Sequence, residues 1–215
     1  MSYAEAARKI YEDGVDILVN LTGYTEDEFP MAVCALKPAP IQINWLGFPG
    51  TTGAGFMDYI VADKVVLPEE QRRWFSEKIV YMPATYMIAD QHHISNRAVN
   101  RQSIGVGLPD NAFVFCSFNQ PHKIEPKIFD IWARLLANVP GSVLWLSWKS
   151  TFAENNLRRE VQARGISPDR LIFGKLTYLK EDHLSRLNFA DLALDTITYN
   201  GHVTTIDALW AGVPV

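Results

Sequence analysis

The chain has 215 residues, of which 48% are hydrophobic, 20% charged and 12% aromatic, with 20 Lys and Arg set against 24 Asp and Glu. These proportions exclude a disordered chain, a collagen and a coiled coil, and a net charge of −4 excludes a protein-wide basic field for nucleic acid. No apolar run approaches the ~20 residues that cross a bilayer, and the opening residues lack a signal peptide's basic and apolar regions, so a cytoplasmic protein with no membrane partner is expected. Ala4–Glu12 is rich in helix formers and stops at Asp13-Gly14. Val15–Asn20 reads as a buried strand that breaks into the loop Leu21–Thr25. A helix over Pro30–Leu36 and a strand over Ile41–Trp45 follow, then the glycine-rich turn Leu46–Gly53 and strands at Tyr59–Ala62 and Lys78–Tyr81.

Residues 89–110 lose apolar periodicity and read as a linker between 1–88 and 111–215. Beyond it the alternation restarts, with strands at Phe113–Phe118, Ser142–Leu146, Arg170–Phe173 and Leu192–Asp195. Helices are expected at Pro126–Asn138, Phe152–Arg164, Lys180–Ala190 and Val203–Ala211. Strands alternating with helices predict an α/β protein with parallel sheets covered on both faces. The chain enters at a helix and stops at Gly212–Val215, where another strand would start, so a fragment of a longer α/β protein with both sheets incomplete is expected. Uncovered strand edges would then make it marginally stable. Cys34 and Cys116 sit in apolar surroundings without a CxxC partner, which favours buried thiols in a reducing compartment.

In open parallel sheets ligands bind beyond the carboxyl ends of the strands, and four polar loops lie there. In Asn119–Lys123, Gln120 and Lys123 are three residues apart and suit a phosphate, although a solvated loop fits as well. In Asn200–Asp207, a glycine, helix-start N–H groups and Thr hydroxyls suit an anion, with Asp207 one turn inside for ribose hydroxyls; plain helix capping is the alternative. Lys180–His183 opens a helix where the His could stack on a base, or where a solvated first turn simply sits. Trp45–Gly50 combines aromatic walls with close-approach glycines, which suits a sugar or a self-packed turn. No D-x-D pair, HExxH, P-loop, GxGxxG or G-x-S-x-G is present, and Asp90 with His92 and His93 has no further cluster to complete a metal site.

Taken in order, these segments resemble the catalytic region of the protein O-GlcNAc transferases, the family of the plant SPINDLY-like proteins and their bacterial relatives. The resemblance rests on Asp16–Tyr24, Lys37–Gln42, Trp45–Thr51, Phe56–Ile60, Ser76–Lys78, Phe118–Gln120, Lys123, Pro140–Trp145, Lys180–His183 and Asn200–Trp210. It implies a GT-B glycosyltransferase with two Rossmann-like lobes and the nucleotide sugar in the cleft between them. It implies direct, inverting, metal-independent transfer of GlcNAc from UDP-GlcNAc to Ser or Thr hydroxyls of a protein acceptor, with no cofactor. In the family pattern Gln120, Lys123 and the helix-start residues His202, Val203 and Thr204 match the diphosphate contacts. Lys180 and Asp207 match ribose contacts, and His183 a residue stacking on uracil. Arg186 and the Tyr178 backbone match base-edge contacts, and Leu46 and Gly47 a loop beside the sugar.

The sequence also departs from that pattern. Val203 stands where the family has the first Thr of a pair, so weaker phosphate binding is expected. The short 89–110 segment resembles bacterial members. The family's acceptor-side Asp and His, and the upstream tetratricopeptide helices, have no counterpart among these residues. A relative using GDP-fucose or UDP-glucose, or a non-catalytic nucleotide-sugar binding remnant, is the alternative expectation.

Overall fold

A computed structural model of the chain describes residues 1–25, 28–88, 100–102, 104–175, 177 and 179–215. The segment 89–110, read above as a linker, falls largely outside the described residues, as do Asp90, His92 and His93. The chain forms two compact units, Met1–Ile88 and Ala89–Val215.

In the first unit, β1 (Ile17–Asn20), β2 (Ile41–Asn44), β3 (Tyr59–Ala62) and β4 (Lys78–Tyr81) form a parallel sheet in that order. Helix α1 (Tyr3–Glu12) starts on a reciprocal cap. Ser2 Oγ accepts the Glu5 N–H at 3.3 Å and Glu5 accepts the Ser2 N–H at 2.7 Å. It ends at Gly14, whose φ of +67° lets Gly14 donate to the Tyr11 carbonyl and Val15 to that of Ile10. Val15 is thus spent on closing the helix, and the strand predicted from Val15 begins two residues later. Helix α2 (Phe29–Ala35) lays Met31 and Cys34 against Leu18, Phe56 and Met57.

The inward positions of this sheet include buried amides. Gln42 donates to the carbonyls of Cys34 at 2.9 Å and Phe56 at 2.8 Å, and Asn44 to that of Phe48 at 3.0 Å. Their N–H groups tie helix α2 and the segments at Phe48 and Phe56 to the sheet, while Gln42 Oε1 and Asn44 Oδ1 have no partner among the described residues.

In the second unit, β5 (Val114–Ser117), β6 (Val143–Ser147), β7 (Leu171–Gly174) and β8 (Leu192–Ala193) are parallel in the order β7-β6-β5-β8. Helices α3 (Pro126–Asn138) and α4 (Thr151–Ala163) cover one face through Phe129, Trp132, Leu136 and Val161. Helices α5 (Lys180–Leu187) and α6 (Val203–Trp210) cover the other through Leu184, Leu187 and Ala208. Strands β5 and β6 are buried at every position, as a sheet packed on both faces requires. The reading of an α/β protein with parallel sheets therefore holds, with corrections at the ends of elements. Helix α5 stops at Leu187, three residues before the predicted Ala190, where Asn188 caps it, and β8 keeps only two of its four predicted residues. Short 3-10 turns at Glu69–Trp74, Pro121–Lys123 and Pro168–Arg170 were not expected from the pattern. Their i→i+3 bonds leave no amphipathic signature, although Pro heads two of them. Both cysteines are buried thiols.

Candidate functional site

Strand order reverses at β5: the chain runs outward through β6 and β7, then returns to place β8 on the other side of β5. Ligands of open α/β sheets bind beyond the strand ends at such a switch point, where here the loops leaving β5 and β8 lie side by side. The β5 loop carries Phe118–Lys123, and the β8 loop carries Leu194–His202 and feeds α6.

Asp195 organises the second loop. Its Oδ1 accepts the N–H groups of Thr196 at 2.8 Å and Gly201 at 2.7 Å and the Asn119 amide at 3.0 Å, while Oδ2 accepts the Asn200 amide at 3.1 Å. Asn119 in turn accepts the Thr204 hydroxyl at 2.7 Å, so the two loops and the first turn of α6 are one hydrogen-bonded unit. Gly201 is required by space. A Cβ there would lie 2.5 Å from Thr204 Oγ1, 2.6 Å from Thr205 Oγ1 and 2.9 Å from Asn119 Oδ1.

Lys123 reaches across from the β5 loop. Its Nζ donates to the Asn200 carbonyl at 3.0 Å and lies 4.0 Å from the centre of the Tyr199 ring. Burial lowers its pKa, and the nearby Asp195 charge opposes that shift. His202, just before α6, has its ring 6.2 Å from that of Tyr199. Burial and then the Lys123 charge lower its pKa, against the pull of Asp195. Val203 begins α6 and is exposed; it brings a backbone N–H to the helix start but no hydroxyl. Gln120 is exposed at the head of the Pro121–Lys123 turn, where its carbonyl accepts the Lys123 N–H at 3.0 Å.

The second half of the site lies between α5 and α6. Asp207, buried one turn into α6, accepts Lys180 Nζ and faces His183 Nε2 at 3.4 Å. Burial alone would raise its pKa, but the His183 and Lys180 contacts hold it below the ordinary carboxylate value. His183 Nδ1 lies 3.1 Å from Arg186 Nη2, and its ring meets Phe118 edge-on at 5.5 Å. An Arg nitrogen can only donate, so this contact assigns the imidazole an unprotonated Nδ1 and turns Nε2–H toward Asp207. Arg186 is itself buried, donates to the Lys175 carbonyl at 2.5 Å and lies 5.0 Å from the Phe118 ring and 5.7 Å from Trp145. Burial lowers its pKa, and its Nε has no partner among the described residues.

The structure thus gathers Lys123, His202 and Thr204 in one place and Lys180, His183, Arg186 and Asp207 in the adjoining one. Tyr178 lies outside the described residues. Leu46 and Gly47 belong to the first unit. Leu46 holds a φ of +82°, strained for a leucine, and Gly47 packs so closely that a Cβ would sit 2.4 Å from the Leu21 carbonyl oxygen. Asp195, Asn119, Tyr199 and Phe118 were not singled out as site residues from the sequence. The signal for Asp195 was its place at the end of the strand across the switch point from β5.

Among the described residues, no helix is long and apolar enough to cross a membrane. Comparison with known proteins gives a consistent picture. The profile of glycosyl transferase family 41 matches residues 1–106 and 95–215. A probable UDP-N-acetylglucosamine–peptide N-acetylglucosaminyltransferase SEC of Arabidopsis thaliana is 39% identical over all of this chain and 22% of its own length. The corresponding transferase of Caenorhabditis elegans is 30% identical over 98% of this chain and 28% of its own. A structure of an O-GlcNAc transferase mutant from Thermobaculum terrenum superposes with a TM-score of 0.83 and 30% identity, covering all of this chain and 40% of that one. Anabaena HepE, crystallised with UDP-glucose, shares the fold at a TM-score of 0.66 and 15% identity, covering 99% of this chain and 62% of its own. The chain therefore spans about a quarter of the length of these curated relatives.

Proposed function

This chain belongs to glycosyl transferase family 41, and from that premise we propose that it carries the donor site of a protein O-GlcNAc transferase, moving GlcNAc from UDP-GlcNAc to Ser and Thr hydroxyls. The observation that carries the reading is the convergence, at one switch point, of a partly desolvated ammonium, an open helix start and a buried carboxylate held by Lys180 and His183. For a nucleoside diphosphate the ammonium and the helix start supply counter-charge for the phosphates and the carboxylate an acceptor for ribose hydroxyls, and the His183 ring adds a surface for the base.

In this reading the acceptor hydroxyl oxygen attacks the anomeric carbon as that carbon's bond to the β-phosphate oxygen breaks, with inversion; UDP departs with the bonding pair and the hydroxyl proton is released to solvent. Lys123, Gln120 and the N–H groups at the start of α6 meet the charge that develops on the diphosphate, and the Thr204 hydroxyl joins them by exchanging its bond to Asn119 for one to a phosphate oxygen. Lys180 and Asp207 hold the ribose, His183 stacks on uracil, and Arg186 and the Tyr178 backbone read its edge. The charge on UDP is met by these groups, so the reading includes no divalent ion and expects no loss of activity in EDTA.

The test is transfer itself. With UDP-GlcNAc and a Ser/Thr-rich acceptor protein, mass spectrometry should find one N-acetylhexosamine per modified residue, as the β-anomer. Lys123→Ala should abolish it. Transfer of another sugar, or an α-linked product, would overturn the donor or the inversion.

A further inference from the structure

We propose that Tyr199 is a positioning residue for Lys123, its ring forming the floor that holds the ammonium at the diphosphate site without neutralising it. The inference rests on reading that site as a diphosphate site. Three contacts place the ring. The buried Thr196 hydroxyl donates to the Tyr199 carbonyl at 2.6 Å, the Asn200 amide closes the same turn on the Thr196 carbonyl at 2.8 Å, and the ring edge meets His202. Lys123 then sits 4.0 Å from the ring centre with one N–H on the Asn200 carbonyl. Those partners come from adjacent residues, so the turn that fixes one fixes the other.

The chemistry explains why a ring stands here. A carboxylate in contact with Lys123 would hold it as firmly but cancel the charge that an incoming diphosphate requires. An aromatic face attracts the ammonium through its quadrupole and carries no net charge. Of the three ammonium donors, the Asn200 carbonyl and the ring occupy two, which leaves one for a ligand oxygen. Asp195, the nearest carboxylate of the loop, is engaged by Thr196, Gly201, Asn119 and Asn200. It shapes the loop while Tyr199 holds the lysine.

The test uses the whole chain with Tyr199→Leu and Tyr199→Phe, in two arms. Without ligand, the Lys123 ε-methylene NMR signal, identified by its disappearance in Lys123→Arg, should be ring-shifted upfield in the wild type and in Tyr199→Phe. It should move to the ordinary lysine position in Tyr199→Leu. With ligand, Tyr199→Leu should weaken UDP binding by about 3–20-fold, the range of a partly desolvated cation–π contact, while Tyr199→Phe stays within about twofold. Uridine, which lacks the phosphates, should bind all three chains alike. A wild-type Lys123 signal without a ring shift, UDP binding unchanged in Tyr199→Leu, or equal losses for UDP and uridine would each overturn the inference. Wild-type chain that binds no UDP overturns the diphosphate reading itself, a failure separate from these.

Discussion

Asp207 is the residue on which the half of the candidate site between α5 and α6 turns. Its carboxyl is buried, yet the contacts with His183 and Lys180 keep its pKa below the ordinary value. A group depressed in the folded state contributes stability above its unfolded pKa of about 3.9 and loses it as pH falls through the folded value. Acid unfolding followed by circular dichroism should therefore be shallower below pH ~4 in Asp207→Asn than in the wild type, with the variant less stable at neutral pH. Gly201→Ala tests the phosphate half. Its Cβ cannot be placed without moving Thr204, Thr205 or Asn119, so UDP affinity should fall at least about tenfold while far-UV dichroism stays unchanged. Lys123, Lys180, His183 and Asp207 were singled out through the family resemblance, because by spacing alone a solvated loop, a helix cap or a solvated first turn fits them as well. Asn119, Asp195 and Tyr199 were not, because their work is to hold partners: Asn119 meets Asp195 76 positions away, and Tyr199 meets Lys123 across two loops.

At the scale of elements, the fold was readable wherever one signal dominated. β3, β4 and α3 have the bounds that β-branched runs and an N-terminal proline predicted. The misses lie where local bonding competes, as at Val15, which closes α1, and at the 3-10 turns. The order β7-β6-β5-β8 was not readable, since no local pattern states which side of β5 receives β8; it follows from α5 and α6 packing on the face opposite α3 and α4. Trp132 links α3 to the sheet from a position 2% exposed. Trp132→Ala should cost about 3–5 kcal/mol in denaturant unfolding, whereas Phe152→Ala on α4, with its side chain 77% exposed, should cost less than about 0.5 kcal/mol.

At the scale of the whole molecule, the sheet of the first unit shows apolar surface on its outer strands. Ile17 and Val19 on edge strand β1 are 53% and 39% exposed, and Val80 on β4 is 39% exposed. Exposed apolar edges are templates for pairing with another chain. Ile17→Lys should therefore reduce concentration-dependent association in light scattering at little cost in thermal stability; unchanged association would show that this edge is not what pairs. The proposed diphosphate and nucleoside contacts all come from the second unit, which predicts that Ile17→Lys leaves UDP affinity untouched.

The most direct test is calorimetric titration of UDP and of GDP into the wild-type chain and into Lys123→Ala. The account predicts binding of UDP in clear preference to GDP, with affinity falling about 10–100-fold in Lys123→Ala, the range for a charge-assisted contact of 1.5–3 kcal/mol. UDP binding that does not change in Lys123→Ala, or no UDP binding by a folded wild-type chain, would contradict it.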